Sequence, residues 1–298
     1  MKIMNLEQGW LWLALSFTLS CSPEKEPDNV FYCFNNCVRT LPGAPSGFEA
    51  QAALVKRLGY DGLAGHGEEN YYRLREALDK VGLEMPEIYI AMSIANGRIV
   101  YPEGLKDILE HSRDRHLLVT LHLHADDFTG SKSEGDALFI EGIRELSDFA
   151  RPLNVDIAIY PHVNFYCETL AHTMDLVRRI DRENAGMTVN LCHLLKVEGE
   201  KGWEEKVLAA MPHTFMVSIN GADSGNTREM GWDRLIQPLG EGSFDTYRLL
   251  KLLKDNGYDG KFGLQCYNIN QDCEAALTRS IHTWKVYQSR YREDSDAY

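Results

Sequence analysis

Short segments of the chain alternate polar and apolar residues in the way that half-buried β-strands do. In the segment 188–193, Thr188 and Asn190 lie on one face and Val189 and Leu191 on the other, because side chains alternate along an extended strand. The same alternation recurs in four further segments, which are 118–124, 157–162, 215–220 and 262–267. The polar groups concentrate toward the C-terminal end of each segment. The pattern predicts parallel strands with helices against their apolar face and polar groups at one end.

Three more strands and eight helices complete the predicted set. The strands are expected at 30–36, 59–66 and 87–94, and the helices at 47–58, 68–81, 104–115, 136–150, 166–182, 202–210, 244–256 and 271–290. Gly82 ends the second helix, and Ser243 is the predicted cap of the helix that begins at residue 244. A long irregular segment, 221–242, follows the seventh strand.

Eight strands that alternate with helices form either a doubly wound sheet or a closed barrel. No glycine-rich phosphate-binding motif follows the first strand, and the polar strand ends are spread along the chain rather than gathered at one place. We therefore predict an α/β fold, a single-domain (β/α)8 TIM barrel over residues 30–290. A chain of 298 residues suffices, because such barrels typically need about 250 residues.

The N-terminus resembles an export signal. Residues 9–17 form an apolar run of signal-peptide length, and the residues Thr18-Leu19-Ser20-Cys21 that follow resemble a bacterial lipobox. In this interpretation residues 1–21 are a signal peptide with lipidation at Cys21, residues 22–29 are a tether, and residues 291–298 are a charged tail. The protein is then expected to be a periplasmic or cell-surface lipoprotein of a bacterium, with membrane contact only through its lipid anchor. An unprocessed buried helix remains the alternative.

The net charge and the cysteine spacing argue against a nucleic acid partner and against a cysteine zinc site. The formal net charge of −13 opposes binding to a polyanion, so no nucleic acid partner is predicted. The six cysteines other than Cys21 include no paired CxxC motif with zinc-site spacing, and we interpret them as buried free thiols. Pairing of Cys33 with Cys37 is left open.

Five segments together resemble the xylose isomerase-like barrel superfamily, also called the sugar phosphate isomerase/epimerase family. They are LGYDGL at 58–63, IYPH at 159–162, VNLCH at 189–193, PLGEGSFD at 238–245 and GLQ at 263–265. The resemblance covers about residues 30–287. It implies a TIM barrel that acts on small-molecule carbohydrates, and it implies four positions at strand ends that hold a divalent cation in members with the usual pattern.

The resemblance places neutral residues at those four metal positions. They are Tyr160, Asn190, Ser218 and Gln265. Amides keep the shape of carboxylates but lack the charge that holds a hard cation against its hydration. We therefore predict no metal cofactor. A zinc site built from His124, His162 and His193 is the alternative, because three imidazoles suit Zn²⁺.

Histidines at the strand ends supply the predicted chemistry. His162 and His193 are the predicted acid and base, since imidazole titrates near neutral pH, and Lys196 is positioned to neutralise a developing enolate. The predicted substrate-binding residues offer hydrogen bonds or stacking surfaces to a sugar, and they are His124, Tyr160, Asn190, Asn220, Trp232, Gln237 and Gln265.

These residues predict a carbohydrate-active isomerase, epimerase or lyase. It would abstract a proton next to a carbonyl on a sugar or keto-glycoside, outside the cytoplasm. The alternative is a non-catalytic sugar-binding lipoprotein on a degenerate isomerase barrel, which would use the same stacking and amide groups.

Overall fold

A computed structural model describes residues 29–296 of the chain. The predicted signal peptide, the predicted lipidation site Cys21 and the predicted tether up to residue 28 lie outside the described residues. No helix within 29–296 is both long enough and apolar enough to span a bilayer.

Parallel strands form a single sheet that closes into a barrel. The strands are β1 (Phe31–Cys33), β2 (Gly62–Leu63), β3 (Gly65–His66), β4 (Glu87–Ala95), β5 (Arg98–Val100), β6 (Leu118–His124), β7 (Asp156–Ile159), β8 (Ala185–Asn190), β9 (Thr214–Ile219) and β10 (Lys261–Leu264). They follow the order β2-β1-β10-β9-β8-β7-β6-β4-β3.

Two short strands, β2 and β3, complete the ring. Together they occupy one of its strand positions, which we call a stave. Only Ala64 separates them, and β2 pairs with β1 while β3 pairs with β4. The hairpin strand β5 pairs antiparallel with β4 and stays outside the ring. The described part of the chain thus has eight staves, and the predicted (β/α)8 TIM barrel is confirmed.

Helices follow the strands, and the longer ones cover the outside of the ring. They are α1 (Asn36–Arg39), α2 (Phe48–Leu58), α3 (Tyr71–Val81), α4 (Leu105–His111), α5 (Lys132–Ala150), α6 (Leu170–Ile180), α7 (Leu191–Val197), α8 (Trp203–Ala210), α9 (Trp232–Leu235), α10 (Thr246–Asp255) and α11 (Cys273–Asp296). As predicted, α3 ends at Gly82, whose φ of 65° is readily adopted by glycine.

The alternating pattern of the strands reflects the two sides of the barrel. Val189 and Ile219 are fully buried on the apolar face that meets the helices. On the polar face, the Ser218 hydroxyl of β9 donates to Oδ1 of Asn190 in β8 over 3.1 Å. Polar interior positions on neighbouring strands therefore satisfy one another's hydrogen bonds, as buried polar groups must.

Local details differ from the sequence predictions at several helix ends. The strand predicted over 188–193 stops at Asn190, and Leu191 begins α7, so His193 lies in the first turn of a helix. The N-cap of α10 is Asp245 rather than Ser243, because the Asp245 carboxylate accepts from the backbone N–H of Arg248. The last helix continues to Asp296, past the predicted end at residue 290.

The long segment 221–242 folds back on itself. The backbones of Gly221 and Gln237 exchange two hydrogen bonds of 2.9 and 2.8 Å, which closes the base of the segment. The short helix α9 lies between them and begins with Trp232. This closed loop brings the Trp232 side chain to the C-terminal mouth of the barrel.

Candidate active site

A cavity of about 430 Å³ opens at the C-terminal ends of the strands. Most of its lining residues follow a barrel strand, which is where active sites of this fold are built. They are Phe34, Asn35, Asn36, Arg39, Thr40, Ala64, Gly65, His66, Glu87, Tyr89, Tyr160, His162, Val163, Asn164, Phe165, His193, Trp232, Ile236, Gln265 and Tyr267.

Two histidines from neighbouring staves lie together in this cavity. The ring centroids of His162, after β7, and His193, in α7, are 3.9 Å apart, with the planes tilted by 45°. Phe165 stacks on His162 at 3.9 Å and 16°, and Trp232 presents an edge-on contact to His193 at 5.6 Å. The histidine pair thus sits between two aromatic side chains that restrict ring rotation.

The hydrogen bond of His162 determines its tautomer. Its Nδ1 lies 2.7 Å from the carbonyl oxygen of Val163. A carbonyl oxygen only accepts, so Nδ1 carries the proton of the neutral ring and Nε2 carries the lone pair. Burial lowers the pKa of His162, which keeps the ring neutral at physiological pH. Nε2 has no hydrogen-bond partner among residues 29–296 and is available as a base.

His193 is more deeply buried, with 5% of its surface exposed. Its Nδ1 is enclosed and has no partner within the described residues. Burial, together with the neighbouring His162, holds the pKa of His193 well below its usual range. A proton on Nδ1 would be an unpaired buried donor, which proteins rarely tolerate, so the neutral ring carries its proton on Nε2.

A second aromatic group extends the cavity toward β4 and β6. Tyr89 stacks on His122 at 4.1 Å and meets Tyr160 edge-on at 4.9 Å. Burial is also the main cause that lowers the pKa of His122 to about 3, with His124 adding to the effect. Burial raises the pKa of Tyr160, so its phenol stays protonated. Tyr89 and Tyr160 line the cavity and offer flat, neutral surfaces suited to the apolar faces of a sugar.

Glu87 is the acidic residue that lines the cavity. The hydroxyls of Tyr32 and Thr120 donate to its two carboxylate oxygens over 2.6 and 2.5 Å. Burial raises the pKa of Glu87 to about 7, although both hydrogen bonds oppose this shift. The carboxyl group therefore changes charge near neutral pH.

Gln265 completes the cavity on the β10 side. Its Oε1 accepts from the side-chain amide of Asn36 and from the backbone N–H of Tyr267. Its Nε2 has no protein partner within 29–296. One end of the amide is thereby held in place, and the other is left as a donor.

Two predicted amides do not line the cavity. The Asn190 Nδ2 donates to the carbonyl of Pro161 and to the hydroxyl of Thr188, both over 3.0 Å. Asn220 Nδ2 donates to the carbonyls of Gly221 and Leu235 over 2.8 and 2.7 Å. Both amides stabilise the strand ends and the segment 221–242.

Three other predicted residues lie beside the cavity rather than in its lining. Lys196 Nζ donates to the carbonyl of Met230 over 2.7 Å. The Gln237 amide donates to the backbone of Arg234 over 3.0 Å. His124 Nε2 lies 2.6 Å from Nδ1 of His122. These side chains support cavity-lining segments, whereas Tyr160, His162, His193, Trp232 and Gln265 line the cavity itself.

Comparison with known proteins identifies the family of this chain. The family model described as "Xylose isomerase-like TIM barrel" matches residues 52–284, which is more than half of the sequence. The chain belongs to this family. No curated protein matches the sequence significantly.

Solved structures share the xylose isomerase-like barrel at low identity. The E. coli 3-keto-D-glucoside 4-epimerase YcjR is 15% identical, with 87% of this chain and 99% of that chain covered and a TM-score of 0.67. An L-ribulose 3-epimerase is 14% identical, with coverage of 90% and 97% and a TM-score of 0.69. The IOLI protein, solved with a bound zinc atom, is 18% identical, with coverage of 88% and 98% and a TM-score of 0.68. At these identities the likeness establishes the fold.

The metal positions of this xylose isomerase-like barrel do not fit a divalent cation. Tyr160 is a protonated phenol, and the Asn190 amide oxygen already accepts from Ser218. Gln265 is neutral, and its oxygen accepts two hydrogen bonds. Within residues 29–296, no group of three or more His, Cys, Asp or Glu residues could hold a metal ion. Metal-independent chemistry remains our prediction.

Sequence reasoning missed two cavity residues whose signal was present in the chain. Glu87 and Tyr89 share one face of β4, alternating with the fully buried Ile88 and Ile90. That alternation marks them as interior residues of the xylose isomerase-like barrel. Arg39 was also missed, because it lies on the short helix α1, where a strand end and loop were expected.

Proposed function

We propose that this protein is a sugar isomerase or epimerase that transfers a proton at a carbon next to a carbonyl group. The observation that carries the proposal is the His162 ring, which keeps an unprotonated Nε2 in an aromatic cavity beside His193. Two similar barrels are a 3-keto-D-glucoside 4-epimerase and an L-ribulose 3-epimerase, and their activities support a sugar substrate.

The two histidines divide the chemistry according to their tautomers. His162 Nε2 takes the proton from the carbon, the electron pair of the C–H bond forms a C=C bond, and the carbonyl π pair moves to oxygen. His193 donates a hydrogen bond from Nε2 to that oxygen, which stabilises the negative charge. Return of the proton from His162 to the adjacent carbon, with proton shifts between the oxygens, completes an isomerisation. Delivery to the other face of the original carbon by a second acid gives an epimer.

The remaining cavity side chains position the sugar. Trp232 and Phe165 present flat faces next to the histidine pair, where the C–H groups of a sugar ring can stack. The unpaired Nε2 donor of Gln265 suits a hydroxyl or carbonyl oxygen. A cavity of about 430 Å³ lies within the size range of small-molecule sites.

We also propose that the protein works outside the cytoplasm and that its catalysis needs no metal ion. The apolar run 9–17 and the lipobox-like Cys21 support a lipoprotein that works outside the cytoplasm. The neutral, already hydrogen-bonded side chains of Asn190 and Gln265 support catalysis without a divalent cation.

Hydrogen exchange with solvent tests the proposed chemistry. The protein is incubated in D₂O with D-fructose, D-psicose and a 3-keto-glucoside, and deuterium at carbon is followed by NMR. We expect exchange with at least one substrate and a loss of about 100-fold or more in His162→Gln, the usual range for removal of a general base. The exposed His282 lies on α11, away from this cavity, so His282→Gln is the matched control. Full exchange by His162→Gln would refute the assignment.

Sugar binding without catalysis is the second candidate. Aromatic faces and amides in one cavity also suit a protein that only binds sugars. Calorimetric binding of a sugar that shows no deuterium exchange and no conversion would favour this candidate over the enzyme.

A further inference from the structure

Arg39 lines the cavity, and its guanidinium group has no hydrogen-bond or ion-pair partner among the described residues. It is an exposed residue at the C-terminal end of α1 and lines the cavity beside Asn36 and Thr40. No carboxylate within 29–296 forms an ion pair with its guanidinium group, and no described residue forms a hydrogen bond with it. Its charge nevertheless acts inside the cavity. After burial, it is the next cause that lowers the pKa of His66, another lining residue.

None of the described residues that line the cavity forms an ion pair with Arg39. Among the described lining residues the only acidic one is Glu87, and both of its oxygens accept hydrogen bonds from hydroxyl groups. Some other arginines of this chain, whose net charge is −13, do pair with carboxylates. Arg57 contacts Glu274 at 2.7 Å, for example. An unneutralised guanidinium at the rim of a ligand cavity is therefore a feature of the site.

The barrel places Arg39 across the cavity from His162. Arg39 follows β1, and His162 follows β7. In the ring, four steps separate β1 from β7 in either direction, through β10, β9 and β8 or through β2/β3, β4 and β6. A substrate that spans the cavity would thus meet Arg39 at one end and His162 at the other.

We propose that Arg39 binds an anionic group, a carboxylate or a phosphate, at the end of the sugar opposite the reacting carbon. This inference rests on the proposed function and names its substrate class, the acidic or phosphorylated sugars. The planar guanidinium group offers two parallel N–H donors, which match carboxylate and phosphate oxygens. The aromatic cavity holds the sugar ring between the two ends.

Calorimetric titration with three probes tests the anion site. D-glucose is neutral, D-glucuronate carries a carboxylate, and D-glucose 6-phosphate carries a phosphate on the same ring. We expect at least one anionic sugar to bind about 10-fold or more tightly than D-glucose, with the advantage reduced at high salt. The preferred anion identifies which group Arg39 takes.

Two arginine variants make the test specific. Arg39→Gln should abolish the preference for anionic sugars, so that the affinities for the three probes lie within about two-fold of one another. Arg98, which is exposed on β5, outside the cavity, and has no partner within the described residues, provides the control Arg98→Gln, which should retain the preference. Equal affinities for all three sugars, a preference that survives Arg39→Gln, or failure of both anionic sugars to bind would overturn the proposal.

The same titration in His162→Gln separates the two proposals. Anion-dependent binding that persists in this variant, together with no exchange by the wild type, would reject the proposed chemistry alone. Exchange by the wild type without any anion preference would reject the Arg39 site alone.

Discussion

The hydroxyl group of Tyr32 in β1 donates to Oε2 of Glu87 in β4 over 2.6 Å, inside the barrel. Thr120 in β6 donates to the other oxygen. The carboxyl group is thus held by strands on both sides of it and reaches the cavity from below the histidine pair. Burial raises its pKa from 4.5 to about 7.

Replacement of Glu87 should change how stability depends on pH. The pKa of Glu87 is higher in the folded state than in the unfolded state, so its contribution to stability is complete below pH 4.5 and is lost as pH rises through about 7. The loss amounts to about 3 kcal/mol by linkage. Relative to wild type, Glu87→Gln should therefore gain about that much unfolding free energy between pH 4.5 and 8, measured by urea denaturation. Glu103→Gln, at an exposed position, should show no such trend.

The acid limb of the exchange activity should lie below the ordinary histidine pKa. Burial lowers the pKa of both His162 and His193, so both rings stay neutral as pH falls through 6.5. We expect kcat/KM for deuterium exchange to stay level from pH 8 to 6.5 and to fall only at lower pH. A midpoint at or above pH 6.5 would contradict a neutral His162 base.

Removal of the Asn190 side chain should destabilise the barrel. Its amide makes three buried hydrogen bonds, to Pro161, Thr188 and Ser218. Unpaired buried groups cost about 1–3 kcal/mol each, so Asn190→Ala should lower the unfolding free energy by at least about 2 kcal/mol. Ser218→Ala removes one of these bonds, and a double-mutant cycle should show coupling between the two residues. A stability loss within about 0.5 kcal/mol would contradict this assignment.

The barrel domain should be insensitive to chelation. The amide, hydroxyl and phenol groups at the four expected metal positions are neutral, and several of them already form hydrogen bonds within the protein. We expect less than stoichiometric metal by elemental analysis and no change in Tm with EDTA, Mn²⁺ or Zn²⁺. Stabilisation by Zn²⁺ that disappears in His124→Gln would instead indicate the histidine zinc site.

Lys196 should act on substrate binding through the loop that carries Trp232. Its ammonium group donates to the carbonyl of Met230, just before α9. We expect Lys196→Ala to raise KM several-fold and to change kcat by less than about two-fold, because the lost contact orders the loop rather than the reacting atoms. The exposed Lys201 provides the control Lys201→Ala. A large fall in kcat with an unchanged KM would restore Lys196 to a direct catalytic role.

Local sequence patterns determined the strands, most helices and the closed barrel. Side-chain alternation at 118–124 and 262–267 depends only on the geometry of an extended chain, so it is readable without tertiary contacts. Helix ends were less predictable. Ser243 and Asp245 are both good caps, and only the turn geometry selects Asp245 for α10.

The same patterns identified interior polar residues but not their partners. Asn190 at the end of β8 and Gln265 after β10 carry the same amide group. The Asn190 amide forms hydrogen bonds to its neighbours, whereas the Gln265 amide keeps a donor for the cavity. The sequence alone therefore determined which side chains point into the barrel, because that depends on local backbone period. Only the tertiary structure decided that His162 pairs with His193 and that Arg39 lies across the ring from His162, because those relationships depend on how the strands close into a ring.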